Sequence, residues 1–134
     1  MREREAFMQK PFLPIQHIGM NKADEEFIEK LVEIIMDNIT DVNFNVEKLS
    51  ELTYMSRSSL HRKITALSDL TPTDFIRLIR LKKAAEIIQE GKYRAGEVCY
   101  LVGINSSSYF IKLFQKQFGM TPKEFYKQQN PSKE

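Results

Sequence analysis

The chain has one cysteine, Cys99, and no tryptophan among its 134 residues. A single thiol excludes an intrachain disulfide and a cysteine-rich zinc site. The two histidines, His17 and His61, stand 44 positions apart and give no metal-ligand spacing, so no metal or cofactor is expected. No window approaches the ~18 consecutive apolar residues that span a bilayer. The start, MREREAFMQK, lacks the apolar core of a secretion signal. There is no glycine-rich phosphate loop and no nucleophile with a matching base. Paired carboxylates occur only on amphipathic helix faces, so no enzyme is expected. These absences leave a cytoplasmic chain of one ordinary domain with a short lead-in, and no membrane contact by this part of it.

What is present is an ordinary globular composition, 42% apolar and 28% charged. The formal net charge of +2 averages two unlike regions. Residues 1–41 hold five basic and nine acidic groups, −4, whereas residues 42–134 hold fifteen basic and nine acidic, +6.

Apolar periodicity is helical throughout, with no strand-length alternation, so the fold class is all-α. Residues 1–22, with Pro11, Pro14 and Gly19, read as an arm or linker. A leading amphipathic helix falls within 23–41, capped by Asp24, with Phe27, Ile28, Leu31, Ile34, Ile35 and Met36 apolar. Asn45 begins a short helix, and Ser56 caps the next, in which Leu60, Ile64 and Leu67 recur. Together they occupy about 45–67. Thr71-Pro72 opens a long helix over about 72–90, stopped by Gly91, with Phe75, Ile76, Ile79, Ala84, Ile87 and Ile88 inward. A second pair follows over about 95–118, then a final helix over about 122–129 behind Thr121-Pro122. Residues 131–134 form a tail.

The halves align at an offset of 50 residues: Leu60 with Phe110, Arg62 with Lys112, Ile64 with Phe114, Thr71-Pro72 with Thr121-Pro122, Phe75 with Phe125. Each half is a short helix, a tight turn and a longer, polar-faced helix, which is the helix-turn-helix plan. The halves differ at their turns. Gly103 and Gly119 in the second correspond to Tyr54 and Asp69 in the first, and tyrosine tolerates the left-handed conformation poorly. The first turn is therefore expected to be the less secure one.

The segments MSRSSLHRKI (55–64), TPTDFIRLIRLKKAAEII (71–88) and EVCYLVGINSSSYFIKLFQKQFGMTPKEF (97–125) carry a resemblance. Residues 42–130 resemble the DNA-binding domain of AraC/XylS-type transcription regulators. They are most similar to the versions at the C-terminus of Bacteroides-type hybrid two-component sensors, where a leading helix precedes the first helix-turn-helix. The resemblance implies two helix-turn-helix subdomains joined by a linker helix, with an additional N-terminal helix. It implies that the linker sets the two recognition helices about one DNA turn, ~34 Å, apart.

On the first recognition helix Arg57, Ser58, Ser59, His61, Arg62 and Lys63 are candidates for DNA contact. Arg62 suits a guanine edge, His61 and Ser58 other base edges, and Lys63 a phosphate. On the second, the candidates are Asn105, Ser106, Ser107, Ser108, Tyr109, Ile111 and Lys112. Ser106 can serve instead as a helix cap, and Ile111 can touch a thymine methyl. Arg80, Lys116 and Thr121 are candidate backbone contacts, with Arg80 equally readable as a structural ion-pair partner. Cys99 reads as a small core residue.

The expected partner is double-stranded DNA, with RNA polymerase added for an activator and a homodimer formed through the full-length protein. That protein is cytoplasmic or held at the inner membrane, and no input domain fits in the 42 residues before the repeat. The alternatives are a free-standing small regulator and a helical protein-interaction module that does not bind DNA.

Overall fold

The computed structural model describes residues 20–131. The expected arm, His17 included, lies outside the described residues except for its last three positions, as do the last three residues of the expected tail. Seven helices and no strand occur among the described residues: α1 (Lys22–Asp37), α2 (Val46–Thr53), α3 (Arg57–Ser68), α4 (Pro72–Glu90), α5 (Ala95–Leu101), α6 (Ser107–Phe118) and α7 (Pro122–Gln129). The chain is all-α. It divides into two compact units. The first holds residues up to Asn38 and Phe44–Ile79; the second holds Ile39–Asn43 and the chain from Arg80 onward.

In the first unit α1 begins earlier than Asp24. Asn21 is the cap, its Oδ1 accepting from the Asp24 N–H at 2.8 Å. Asp24 and Glu25 then sit in the first turn, where negative charge meets the positive end of the helix dipole. The helix stops at Asp37, and Asn38 donates its Nδ2 to the Ile34 carbonyl at 2.8 Å. Ile28, Leu31 and Ile35 are buried at i, i+3 and i+7. They share the first unit with Leu49 of α2, Leu60 and Ile64 of α3, and Phe75 and Ile79 of α4, all buried.

Local chemistry fixes the ends of these helices. Asn45 caps α2 through Lys48 N–H, Ser56 caps α3 through Ser59 N–H, and Thr71 Oγ1 accepts from Asp74 N–H at 3.1 Å at the start of α4. Two of the non-glycine helix stops are left-handed, Tyr54 at φ 58 and Asp69 at φ 63. The first turn thus adopts the same left-handed hand as Gly103 (φ 77) despite its side chain. Tyr54 is 96% exposed, so packing does not compensate the strain. A left-handed residue with a Cβ costs about 1–2 kcal/mol, and glycine gives back part of that in unfolded-chain entropy. Tyr54→Gly is therefore expected to stabilise the chain by about 0.5–1 kcal/mol in urea unfolding. A loss of stability there would show that the tyrosine ring contributes to the fold.

In the second unit an aromatic cluster forms the core. Phe114 lies 5.7 Å from Phe110, 4.6 Å from Phe118 and 5.7 Å from Phe125, ring centroid to centroid. Val98 and Cys99 of α5 are buried in the same unit, and burial raises the Cys99 thiol pKa. Asn130 donates to the carbonyls of Ile88 and Tyr126, tying the end of α7 to α4.

Arg80 is a structural residue of this unit. It is 6% exposed, and its guanidinium donates to the carbonyls of Ile39 (2.7 Å), Asp41 (3.0 Å) and Val102. The candidacy of Arg80 as a DNA-backbone contact is thereby corrected, because the fork is enclosed and spent on backbone oxygens. The structural alternative takes the form of bonds to backbone carbonyls, with the Asp41 charge acting on Arg80 from nearby. The guanidinium passes directly over Gly103. A Cβ built there would stand 1.9 Å from Arg80 Nη1 and 2.5 Å from the Ile39 oxygen.

Lys82 has no exposed surface, and no buried side-chain nitrogen or oxygen among the described residues lacks a hydrogen-bond partner. Burial pushes its pKa down to about 7, with Glu86 pulling partly the other way. Between that value and 10.5 the unfolded chain holds a proton that the folded chain has released. Stability therefore rises with pH across this window. From pH 7 to 9 the gain is expected to be about 2 kcal/mol by urea unfolding, and Lys82→Met should flatten it. A pH profile unchanged by that substitution would assign the slope elsewhere.

Candidate nucleic-acid interface

On α3 the buried stripe of Leu60 and Ile64 fixes what points outward. Ser58, His61, Arg62, Thr65 and Ala66 line one shallow surface groove with no carboxylate among them. The spacing i, i+3, i+4, i+7 and i+8 is that of a single helix face. Arg57 is exposed in the first turn, while Ser59 is half-buried. Lys63 leaves this face. Its Nζ sits 4.4 Å from the centroid of the Phe27 ring on α1, a cation–π contact inside the first unit. Of the six candidates on this helix, the groove brings together Ser58, His61 and Arg62. Thr65 and Ala66 were not singled out from the sequence, although Thr65 lies four residues after His61 and the same periodicity points to it.

On α6 Ser106 is the cap, its Oγ accepting from the Tyr109 N–H at 3.3 Å, with Ser108 Oγ 3.4 Å away. Asn105, Ser107, Ser108, Tyr109, Ile111 and Lys112 are exposed. They fall on more than one strip. Ser107 and Ile111, four apart, line a groove of about 660 Å³ with the starts of α5 and α7. Ser108 and Lys112, also four apart, form the neighbouring strip. Lys116 is exposed in the last turn of α6. Thr121 is half-buried and caps α7 in a reciprocal box, accepting from Glu124 N–H at 3.1 Å while Glu124 accepts from Thr121 N–H at 2.8 Å. Arg94, Lys123 and Tyr126 line the larger groove and were missed by periodicity, since they sit at helix starts and on a different element.

The cations of α4 are otherwise engaged. Arg77 pairs with Asp74 at 2.7 Å and Lys83 with Glu86 at 3.0 Å, while Arg80 and Lys82 are buried. No group of three or more His, Cys, Asp or Glu is placed to hold a metal among the described residues, and no helix among them is long and apolar enough to cross a membrane.

The family described as "Helix-turn-helix domain" matches residues 49–128. The chain belongs to this family, in its AraC-type branch of transcription regulators. It is 34% identical over 125 residues to Histidine kinase P4 of Formosa agariphila, an alignment that takes in 93% of this chain and 9% of that protein. It is 38% identical over 120 residues to the HTH-type transcriptional activator CsvR of Escherichia coli, covering 81% of this chain and 45% of that one. The chain thus spans less than half the length of these relatives. Among solved structures, the C-terminal domain of the two-component response regulator yesN from Fusobacterium nucleatum superposes with a TM-score of 0.66 at 26% identity, covering 75% of this chain and 98% of that domain.

Proposed function

We propose that this chain is the sequence-reading output domain of a larger two-component signalling protein, acting on double-stranded DNA in the cytoplasm. The observation that carries the DNA reading is the groove on α3. A helix that follows a tight turn offers Ser58, His61 and Arg62 on one exposed face without a carboxylate among them. Arg62 forks onto a guanine edge, and His61 and Ser58 read neighbouring edges. Arg57 and Ser59 contact the DNA from the start of the helix, and Lys63 meets a phosphate from the flank. On α6 Ser107, Ser108 and Lys112 contact the backbone, Ile111 a thymine methyl, and Asn105, Ser106 and Tyr109 the strand at the helix start. Lys116 and Thr121 add backbone contacts. Alignment of nearly the whole chain within a small part of a histidine kinase supports the output role. Phosphorylation elsewhere in the full-length protein would pair two such domains on adjacent sites, and an activator would then engage RNA polymerase.

Arg62→Ala tests the reading. It is expected to cost about 1–3 kcal/mol on the preferred duplex and far less on unrelated duplexes. Wild-type affinity should fall with salt by about 0.9 log units per log unit of salt for each phosphate contacted. Equal losses on every sequence would remove the base-reading role of Arg62. A flat salt response would favour a protein-interaction module instead.

A further inference from the structure

We propose that Phe27 of the leading helix is the positioning residue for Lys63, holding its ammonium at the flank of α3 so that it meets a phosphate already in place. The proposal rests on the DNA reading above and couples α1 to the affinity of the first reading helix.

Lys63 Nζ stands 4.4 Å from the centroid of the Phe27 ring. An aromatic face orients a cation without neutralising it, and the N–H groups turned away from the ring stay open to an anion. A carboxylate would take both the charge and the donors. Arg77 and Lys83 show that outcome, the first engaged by Asp74 and the second by Glu86. Lys63 is exposed, and among the described residues it forms no ion pair. Carboxylates are close at hand, since α1 carries six acidic residues in sixteen. The α1 side chain that meets Lys63 is nevertheless the phenylalanine among them.

Packing does not require this pair. The 50-residue repeat reaches back into α1, where Ile28, Leu31 and Ile35 correspond to Leu78, Leu81 and Ala85 of α4, all buried. In the same frame Lys63 corresponds to Leu113, which is half-buried, and Phe27 to Arg77. The second half thus uses leucine where the first has lysine. A leucine against Phe27 would remove more apolar surface from water, so the lysine departs from the packing optimum, which is the pattern of a functional position. Phe27 also lies between the cap Asn21 and Ile28, the first buried residue of α1. The placement of Lys63 is therefore tied to the formed start of α1, and by linkage a bound duplex stabilises that start.

Affinity scales with the fraction of molecules whose ammonium already stands at the flank. The test is a double-mutant cycle on a duplex carrying the preferred site, using Phe27→Leu, Lys63→Gln and the pair in the whole chain, with urea unfolding of each. Lys63→Gln should lower the log–log salt slope by about 0.9, the value for one phosphate. Phe27→Leu should weaken binding by about two- to fivefold while Lys63 is present and leave it unchanged in the Lys63→Gln background. Phe27→Trp should keep the wild-type affinity, because indole holds a cation best. Phe27→Met takes the place of Phe27→Leu if that variant does not fold. A loss on Phe27→Leu that is equal in both backgrounds, or absent in both, overturns the proposal. So does a Lys63→Gln variant with the wild-type slope, and in each case a wild type that binds duplex leaves the DNA reading standing. A wild type that binds no duplex overturns both.

Discussion

Gly103→Ala is expected to destabilise the chain by about 4 kcal/mol or more, an exceptional effect for one methyl group. Two causes add. The backbone there has φ +77, which costs a residue with a Cβ about 1–2 kcal/mol. The new Cβ would also stand 1.9 Å from Arg80 Nη1 and 2.5 Å from the Ile39 carbonyl oxygen. The guanidinium cannot yield cheaply, because it is held by the carbonyls of Ile39, Asp41 and Val102. Moving it leaves those oxygens without that donor, and a buried unsatisfied polar group costs about 1–3 kcal/mol. Arg80→Ala should therefore be severe on its own. Gly103→Ala made in that background should cost at least about 1 kcal/mol less than in the wild type, because the clash with the guanidinium is gone and only that with the Ile39 oxygen remains. A double-mutant cycle by urea unfolding reads this directly. Additive effects, or a cost below about 1 kcal/mol for Gly103→Ala, would mean that the turn and the arginine do not depend on each other.

Leu31→Ala is expected to cost about 2–5 kcal/mol, the range for emptying a fully buried leucine site. Leu31 has no exposed surface, and it is flanked on the same stripe by Ile28 and Ile35. The leading helix is thus part of the first compact unit and supplies its core, along with the ring beneath Lys63. Glu29→Ala on the exposed face of the same helix should stay within about 0.5 kcal/mol. If Leu31→Ala were as mild as Glu29→Ala, α1 would be an appendage whose removal the rest of the chain tolerates.

Much of this architecture can be read from local chemistry. Asn45, Ser56 and Thr121 are capping residues in the sequence and in the structure, and Gly91 and Gly119 are left-handed stops in both. These signals act over three or four residues, so a sequence carries them whole. Asn21 and Asp24 show the limit, since both are good caps. The choice fell to Asn21, which leaves Asp24 in the first turn of the helix. Arg80 was not legible, because its partners lie 22 to 41 residues away and are carbonyls, which every residue has. Lys82 was hidden for a related reason: α4 is buried at Ile79, Leu81, Ala84, Ala85 and Ile88, so a charge on this helix has no assured outward side. At the candidate interface, helical periodicity sets Ser58, His61 and Arg62 on one face of α3, but it carries no sign that Lys63 lies over the ring of Phe27. One residue of rotation, about 100°, carries it from the groove to the ring of Phe27. Arg94 and Lys123 escaped because their relation to α6 is tertiary.

The central claim is that one chain reads duplex DNA with two helices. Selection of bound duplexes from a random pool, using the chain itself and then its Arg62→Ala variant, tests it most directly. Two enriched half-motifs are expected with the wild type, and one of them should lose its guanine preference with the variant while the other persists. A pool that shows no enriched sequence, or a single motif untouched by Arg62→Ala, would contradict the account.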